Sequence, residues 1–225
     1  MMRIFAIRPQ PALAATIESA RAIGLEVEGR PLFEIRPLDW EPPPPGEIDG
    51  LLLGSANALR HGGSGLALFK DKPAYAVGEA TAEEARRSGF AVAGVGEGRL
   101  QPLVASLAGK RRKFLRVTGQ DHVAVDPPEG IAIVTRIAYR SVPLPMPEEL
   151  AGALRSGGLV LLHSAVAAFH FAGECDRLEI GRDGIALAAL APRIAAAAGS
   201  GWAEVRSADS PQDAALLALA QDMCH

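Results

Sequence analysis

Gly50-Leu51-Leu52-Leu53-Gly54-Ser55-Ala56-Asn57-Ala58 is matched by Leu159-Val160-Leu161-Leu162-His163-Ser164-Ala165-Val166-Ala167, and Ser55 falls on Ser164. Each is an apolar run that reaches a serine and then turns helical. The correspondence extends outward from both. Ala85-Arg-Arg-Ser-Gly-Phe90 falls on Ala197-Ala-Gly-Ser-Gly-Trp202. Toward the start, Gly24, Val27, Arg30, Phe33 and Pro37 fall on Gly130, Ile133, Arg136, Tyr139 and Pro143 without a gap. The chain therefore reads as one unit of about 110 residues written twice, each copy the size of an ordinary domain. A duplicated α/β unit predicts two similar lobes with a ligand cleft between them. Differences between the copies then carry information, because packing alone tolerates sameness.

The totals narrow the class. With 225 residues the chain has room for one large domain or two ordinary ones. An apolar fraction of 48% is that of a globular protein. A net charge of −3 and a pI near 6.0 leave no basic footprint for nucleic acid. Two cysteines, Cys175 and Cys224, make neither a disulfide framework nor a zinc pattern and suit a reducing cytosol. Ile4 to Ile7 is too short for a signal-peptide core or a membrane span, so the expectation is a cytoplasmic protein off the membrane.

Strand and helix patterns alternate along the chain. Ile4–Ile7, Leu25–Val27, Ile48–Leu53, Ala74–Val77 and Phe90–Ala93 read as strands of the first copy. Leu13, Ile17 and Ala20 mark a helical face that stops at Gly24, and Leu100, Leu103, Val104 and Leu107 mark another. Trp40 and Pro42 to Pro45 form a stiff spacer. Thr81 and Glu84 have the spacing of a capping box, which predicts a helix starting at Thr81. In the second copy, Phe114–Val117, Ile131–Ile137, Leu159–Leu162 and Ile185–Leu190 are strands. Pro127-Pro128 shortens or removes the helix expected in residues 120–130. Short helices are expected around Leu150 and Leu154 and from Pro192, and Ser210-Pro211-Gln212-Asp213 opens the last. This alternation predicts parallel sheets flanked by helices, with ligands beyond the carboxyl ends of the strands. Arg8, Ser55, Thr81, Thr118 and Ser164 all fall at or just after such ends.

Each candidate has a plain structural reading too. Ser55, Ser164 and Thr81 are good helix caps, and a cap and a ligand contact can share one helix start. Neither serine lies in Gly-x-Ser-x-Gly, which argues against a hydrolase elbow. Gly94-Val-Gly-Glu-Gly98 lacks both dinucleotide spacing and a Walker lysine. His61, His122, His163, His170 and His225 have no metal-ligand spacing. His163 and His170 read as structural, and no confined acidic pair suited to acid–base work is visible. Any chemistry is expected to lean on positioning and hydrogen-bond donors. Tyr139 stands where the first copy has Phe33, which isolates one hydroxyl; an amphipathic linker residue with its hydroxyl in water is the plain alternative.

With these residues in hand, the chain resembles the uroporphyrinogen-III synthase family along nearly its whole length. The resemblance rests on Arg8-Pro9, on Leu53-Gly-Ser-Ala-Asn-Ala58, on Ala76-Val-Gly-Glu-Ala-Thr-Ala82, on the Tyr139 segment and on the strand ending at Ser164. It implies an interleaved arrangement: residues 1–36 with 145–225 in lobe 1, residues 39–136 in lobe 2, and two antiparallel connector strands at 31–38 and 137–144. It implies a cofactor-free lyase that takes hydroxymethylbilane, removes water and closes the macrocycle with ring D inverted to give uroporphyrinogen III. Tyr139 matches the family tyrosine that helps the hydroxyl leave. Arg8, Ser55, Ala56, Asn57, Gly78, Thr81, Thr118, Gly119, Ser164, Ala165 and Arg193 are the implied substrate contacts. No metal, nucleic acid or membrane is implied, and the chain is expected to be a monomer.

Several positions depart from the family pattern. Gly54 and His163 precede the two serines where a small polar residue is common. Ala191-Pro-Arg-Ile194 lacks the hydroxyl that Thr81 supplies in the first copy, and Arg193 offers a charged donor near that place. The competing readings are a non-catalytic two-lobed binder of a small anion and a synthase-like chain that has lost activity.

Overall fold

β1 (Ile4–Ala6), α1 (Ala12–Ala22), β2 (Val27–Gly29) and β3 (Phe33–Pro37) come first in the computed structural model, which describes residues 2–224. Then come β4 (Gly50–Leu53), α2 (Ala56–His61), α3 (Gly63–Ala67), β5 (Ala74–Val77), α4 (Glu79–Arg87), β6 (Val92–Gly96) and α5 (Leu100–Ser106). β7 (Arg112–Gly119) and β8 (Ile131–Pro143) lead to α6 (Glu148–Leu154), β9 (Gly158–Leu162), α7 (Ala165–Arg177) and β10 (Ile185–Ala189). The last elements are α8 (Pro192–Ala197), β11 (Glu204–Ser207) and α9 (Asp213–Met223).

The chain divides into two compact units, Met1–Glu34 with Val142–His225 and Ile35–Ser141. The first holds a parallel sheet in the order β11-β10-β9-β1-β2. Its central strands are buried throughout because both faces are covered. Phe5, Val160, Leu162, Leu187 and Ala189 face α6, α7 and α8. Ile4, Ala6, Leu159, Leu161 and Ala188 face Leu13 and Ala20 of α1 and Leu216 and Ala220 of α9. This is the period-2 alternation of a strand, with an apolar partner on each side.

The second sheet has the order β3-β8-β7-β4-β5-β6 and is parallel from β8 to β6. β3 runs against β8, since Leu38 N–H donates to Ala138 O at 2.7 Å and Leu144 N–H to Leu32 O at 2.9 Å. Leu51, Leu53, Leu115 and Val117 face α2, α3 and α4, while Leu52 and Phe114 face α5. Trp40 Nε1–H donates to Gly62 O at 3.0 Å, which pins the proline spacer to the corner between α2 and α3.

The two sheets share a strand order: β11-β10-β9-β1-β2 reads as β6-β5-β4-β7-β8. The ladders agree residue by residue. Ile4 pairs with Leu159 and Val27, and Phe114 pairs with Gly50 and Ile133. Ala6 is thus the counterpart of Arg116, and Arg8 of Thr118.

Several expectations are corrected. Thr81 does not cap a helix: α4 begins two residues earlier, with Gly78 at the cap position and no side-chain cap bond. Gly78 has φ +77°, a conformation that glycine takes without strain, and it turns the chain into the helix at once. Thr81 N–H then donates to Gly78 O at 3.2 Å inside the first turn. The strand expected at 25–27 lies at Val27–Gly29. β8 is one unbroken strand of 13 residues, so the connector expected at 137–144 continues the strand before it. As Pro127-Pro128 leads one to expect, no helix forms in residues 120–130. β11 leaves no apolar signature in the sequence because it is an exposed edge strand carrying Glu204 and Arg206.

Glu174 of α7 is a buried carboxylate that ties the segment after β8 to the core. It accepts from Met146 N–H at 2.6 Å and from both Nε and Nη2 of Arg177, at 2.8 and 2.7 Å. The Arg177 bonds, aided by Met146 N–H, outweigh burial and bring its pKa down to about 2. Its stabilisation is therefore complete above the ordinary glutamate value of about 4.3 and is lost as pH falls toward the folded-state value. Glu174→Gln is expected to lower stability by about 1–3 kcal/mol at pH 7, with the difference from wild type vanishing near pH 2. Denaturant titrations at several pH values check this.

Candidate functional site

The candidate residues fall into two sets, each at the carboxyl edge of its own sheet. In the second unit, β4 ends at Gly54 and Ser55 takes extended backbone as the N-cap of α2. Its Oγ accepts from Asn57 N–H at 3.2 Å, so the cap reading of Ser55 holds. Ala56 opens the helix beside it. Gly78 ends β5. Thr81, in the first turn of α4, is 6% exposed.

Thr118 and Gly119 end β7, where a bulge shifts the register so that Gly119 faces Tyr139 of β8. Gly119 is required there. A Cβ would lie 2.6 Å from Cε2 and 3.0 Å from Cζ of Tyr139. The bare backbone is thus the floor on which the phenol ring lies. His61, in the last turn of α2, sits beside that ring with centroids 5.9 Å apart and planes tilted by 44°. Burial, reinforced by the charge of Arg60, lowers the His61 pKa and favours the neutral imidazole. Nδ1 of His122 lies 3.0 Å from Gly119 O and 3.2 Å from Gln120 O, holding the turn after β7. Among the described residues the Tyr139 hydroxyl makes no hydrogen bond to the protein.

In the first unit, Ser164 caps α7 and its Oγ accepts from Ala167 N–H at 3.1 Å. Ala165 is the first helical residue. Arg8 is not a free guanidinium. Its Nη1 donates to Asp213 Oδ1 at 2.9 Å and to Thr16 Oγ1 at 3.0 Å. His163 Nε2 reaches the same Oδ1 at 2.9 Å, and the Thr16 hydroxyl donates to Oδ2 at 2.6 Å. Burial alone raises the Asp213 pKa. The bonds from His163 and Thr16, with the charge of Arg8, overcome this and leave it below the ordinary range. Burial lowers the Arg8 pKa, opposed by Asp213. The His163 side chain is 7% exposed, and its Nδ1 is buried without a partner. His163 and Asp213 are 50 residues apart, and only the packing of α9 beside β9 brings them together.

Arg193 is exposed as the second residue of α8, while Ile194, at the place of the lost hydroxyl, points into the core. His170 is structural, with Nε2 2.8 Å from Leu144 O and its ring edge-on to Phe33. Arg116, which the sequence did not single out, is buried on β7 two residues before Thr118. Among the described residues no group of three His, Cys, Asp or Glu side chains could hold a metal, and no helix is long and apolar enough to cross a membrane.

Comparison with known proteins bears on this arrangement. The family model described as uroporphyrinogen-III synthase HemD matches residues 13–218. The crystal structure of uroporphyrinogen-III synthetase from Helicobacter pylori superposes with a TM-score of 0.67 at 16% identity, covering 99% of this chain and 100% of that one. A mutant uroporphyrinogen III synthase from Thermus thermophilus gives 0.48 at 16% identity, over 100% and 99% of the two chains. No curated protein matches.

Two substitutions test the local geometry. Gly119→Ala is expected to push the Tyr139 ring off its floor, at an overpacking cost of about 1–3 kcal/mol; a crystal structure and a melting curve check this. Asp213→Asn weakens the anchor shared by Arg8, His163 and Thr16. A loss of about 2–4 kcal/mol is expected, because two of those partners are left poorly compensated. Equilibrium unfolding measures it.

Proposed function

We propose that this chain, which belongs to the uroporphyrinogen-III synthase family, converts hydroxymethylbilane to uroporphyrinogen III. The observation that carries the reading is the family match over residues 13–218. The fold agrees with it, through the likeness to the Helicobacter pylori synthetase along the whole chain.

The chemistry asks for little reactive machinery. The hydroxymethyl group of the linear bilane must leave as water. A phenol is a proton donor at neutral pH, and Tyr139 is the group assigned to this step. Its proton goes to the departing hydroxyl, the C–O bond breaks, and an azafulvene cation remains opposite a phenolate. Ring D then attacks through its substituted carbon. The resulting spirocyclic intermediate opens again and recloses with ring D inverted. The proton lost in the final step returns to the phenolate, so atoms and charge balance. Inversion is a matter of orientation, because the bilane must be folded so that the substituted carbon of ring D is the one within reach. The ring of Tyr139 is well suited to a fixed donor role, because Gly119 beneath it and His61 beside it leave it few positions.

The substrate carries eight carboxylates, and the chain has a net charge of −3. Local donors must therefore hold those carboxylates. Free backbone N–H groups at helix starts serve, at Ser55-Ala56, in the first turn after Gly78 and at Ser164-Ala165, with the Asn57 side chain beside the first. Thr118 and Gly119 belong to the same set, with Arg193 as an exposed cation. Arg8 contributes through its place in the cluster with Asp213 rather than as a free charge. A lyase without cofactor, acting as a cytoplasmic monomer, completes the reading.

The test is an isomer assay. Hydroxymethylbilane is generated in situ, products are oxidised, and uroporphyrins I and III are separated. Isomer III is the expected product; isomer I alone, formed spontaneously, from a folded protein overturns the assignment. Tyr139→Phe is expected to lower kcat about tenfold or more with a smaller change in KM. Arg193→Ala is expected to raise KM severalfold, and an unchanged KM removes Arg193 from the site.

A further inference from the structure

Arg116 is 7% exposed, and its Nη2 donates to Val123 O at 2.9 Å. Among the described residues no carboxylate pairs with it. The other buried charged residue, Glu174, is fully partnered by Arg177 and Met146 N–H. A buried cation without an anion is costly, so proteins seldom keep one idle. Burial lowers its pKa, and the nearby Tyr139 phenol opposes the shift.

Its place in the fold sharpens the point. Arg116 stands on β7 between Leu52 of β4 and Thr135 of β8 and shares a face of the sheet with Thr118, two residues on. Its counterpart in the first unit is Ala6, which is packed against α1 and α9. The helix corresponding to α1 is missing after β7, and residues 120–130 cover the face instead. The aliphatic stem of Arg116 fills part of that gap, and one N–H ties down the covering segment. Neither role needs a full positive charge or a planar fork.

We propose that Arg116 is a substrate-binding residue of the synthase reaction, its guanidinium receiving one carboxylate arm of the bilane beside Thr118 and Gly119. This rests on the function proposed above and adds a residue to that site. The planar fork matches a carboxylate in two parallel hydrogen bonds, which fixes direction as well as position. A carboxylate also supplies the missing counter-charge. The folded protein thus carries a cation whose partner arrives with the substrate.

Arg116→Gln and Arg116→Lys separate this from a purely structural role. Arg116→Gln removes the charge and keeps a polar amide on the same face, two bonds short of the position of Nη2. It is expected to melt at or above the wild-type temperature and to raise KM for in situ hydroxymethylbilane by about tenfold to a hundredfold, with a smaller fall in kcat. Arg116→Lys keeps the charge without the fork and is expected to fall between. Uroporphyrin III, an octacarboxylate, is expected to raise the wild-type melting temperature and to shift Arg116→Gln less. An unchanged KM and an equal melting shift in Arg116→Gln, with wild type still making isomer III, overturn this inference alone. A large fall in the melting temperature of both variants also overturns it, since the charge is then needed for folding. Isomer I alone from wild type overturns the proposed function and, with it, the ligand named here.

Discussion

The first unit depends on one pairing. β1 is three residues long and lies between β2 and β9, with Ile4 opposite both Val27 and Leu159. Its partners are thus one neighbour close in sequence and one from far along the chain. Without β9, β1 and β2 are an open pair with a bare edge, too little to stand alone. With β9 in place, Phe5 joins a core with Val160 and Leu162, and Ile4 joins another with Leu159 and Leu161. The loop-closure entropy of bringing these segments together precedes the burial that rewards it. Both faces of the sheet, and therefore the placing of Arg8, Ser164 and Asp213, depend on that closure.

The copies have diverged where chemistry rather than packing sets the residue. Gly54 and His163 precede equivalent serines, but only His163 meets an aspartate. Thr118 and Arg8 are equivalent by ladder register, but only Arg8 is locked into an ion pair. Conversely, the buried guanidinium of Arg116 stands opposite a small alanine in the other copy. In one unit the polar groups neutralise one another; in the other a phenol and a guanidinium lie close to the sheet edge with capacity to spare. The apolar positions, by contrast, retain their pattern, as Leu51 to Leu53 and Val160 to Leu162 show.

What is legible in the sequence is what local periodicity and caps encode. Ser55 and Ser164 declare themselves, since an apolar strand running into a serine and a helix has few other readings. Tyr139 stands out on comparing the copies, and the ladders agree: Val27 and Ile133 hold equivalent places, and counting six residues on from each reaches Phe33 and Tyr139. Thr81 misleads because its spacing to Glu84 is that of a capping box, while the preceding glycine, free to take φ +77°, starts the helix sooner. The Asp213 cluster is hidden because ion pairing between segments 205 residues apart leaves no trace in either segment. Arg116 is hidden for a different reason: an arginine within an apolar strand looks like a solvent-facing residue, and only its covering by residues 120–130 buries it.

Each compact unit draws strands from both sequence copies. β4, β5 and β6 of the first copy are completed by β7 and β8 of the second, and β9, β10 and β11 of the second by β1 and β2 of the first. This is the topology of a domain-swapped dimer whose two subunits have been fused into one polypeptide. A swapped arrangement persists only when the hinge resists folding back. Here the chain passes between the units twice, at Glu34–Ile35 within β3 and at Ser141–Val142 within β8. The β3–β8 bonds from Leu38 N–H to Ala138 O and from Leu144 N–H to Leu32 O flank both crossings, so folding either copy back on itself would first have to break that strand pairing.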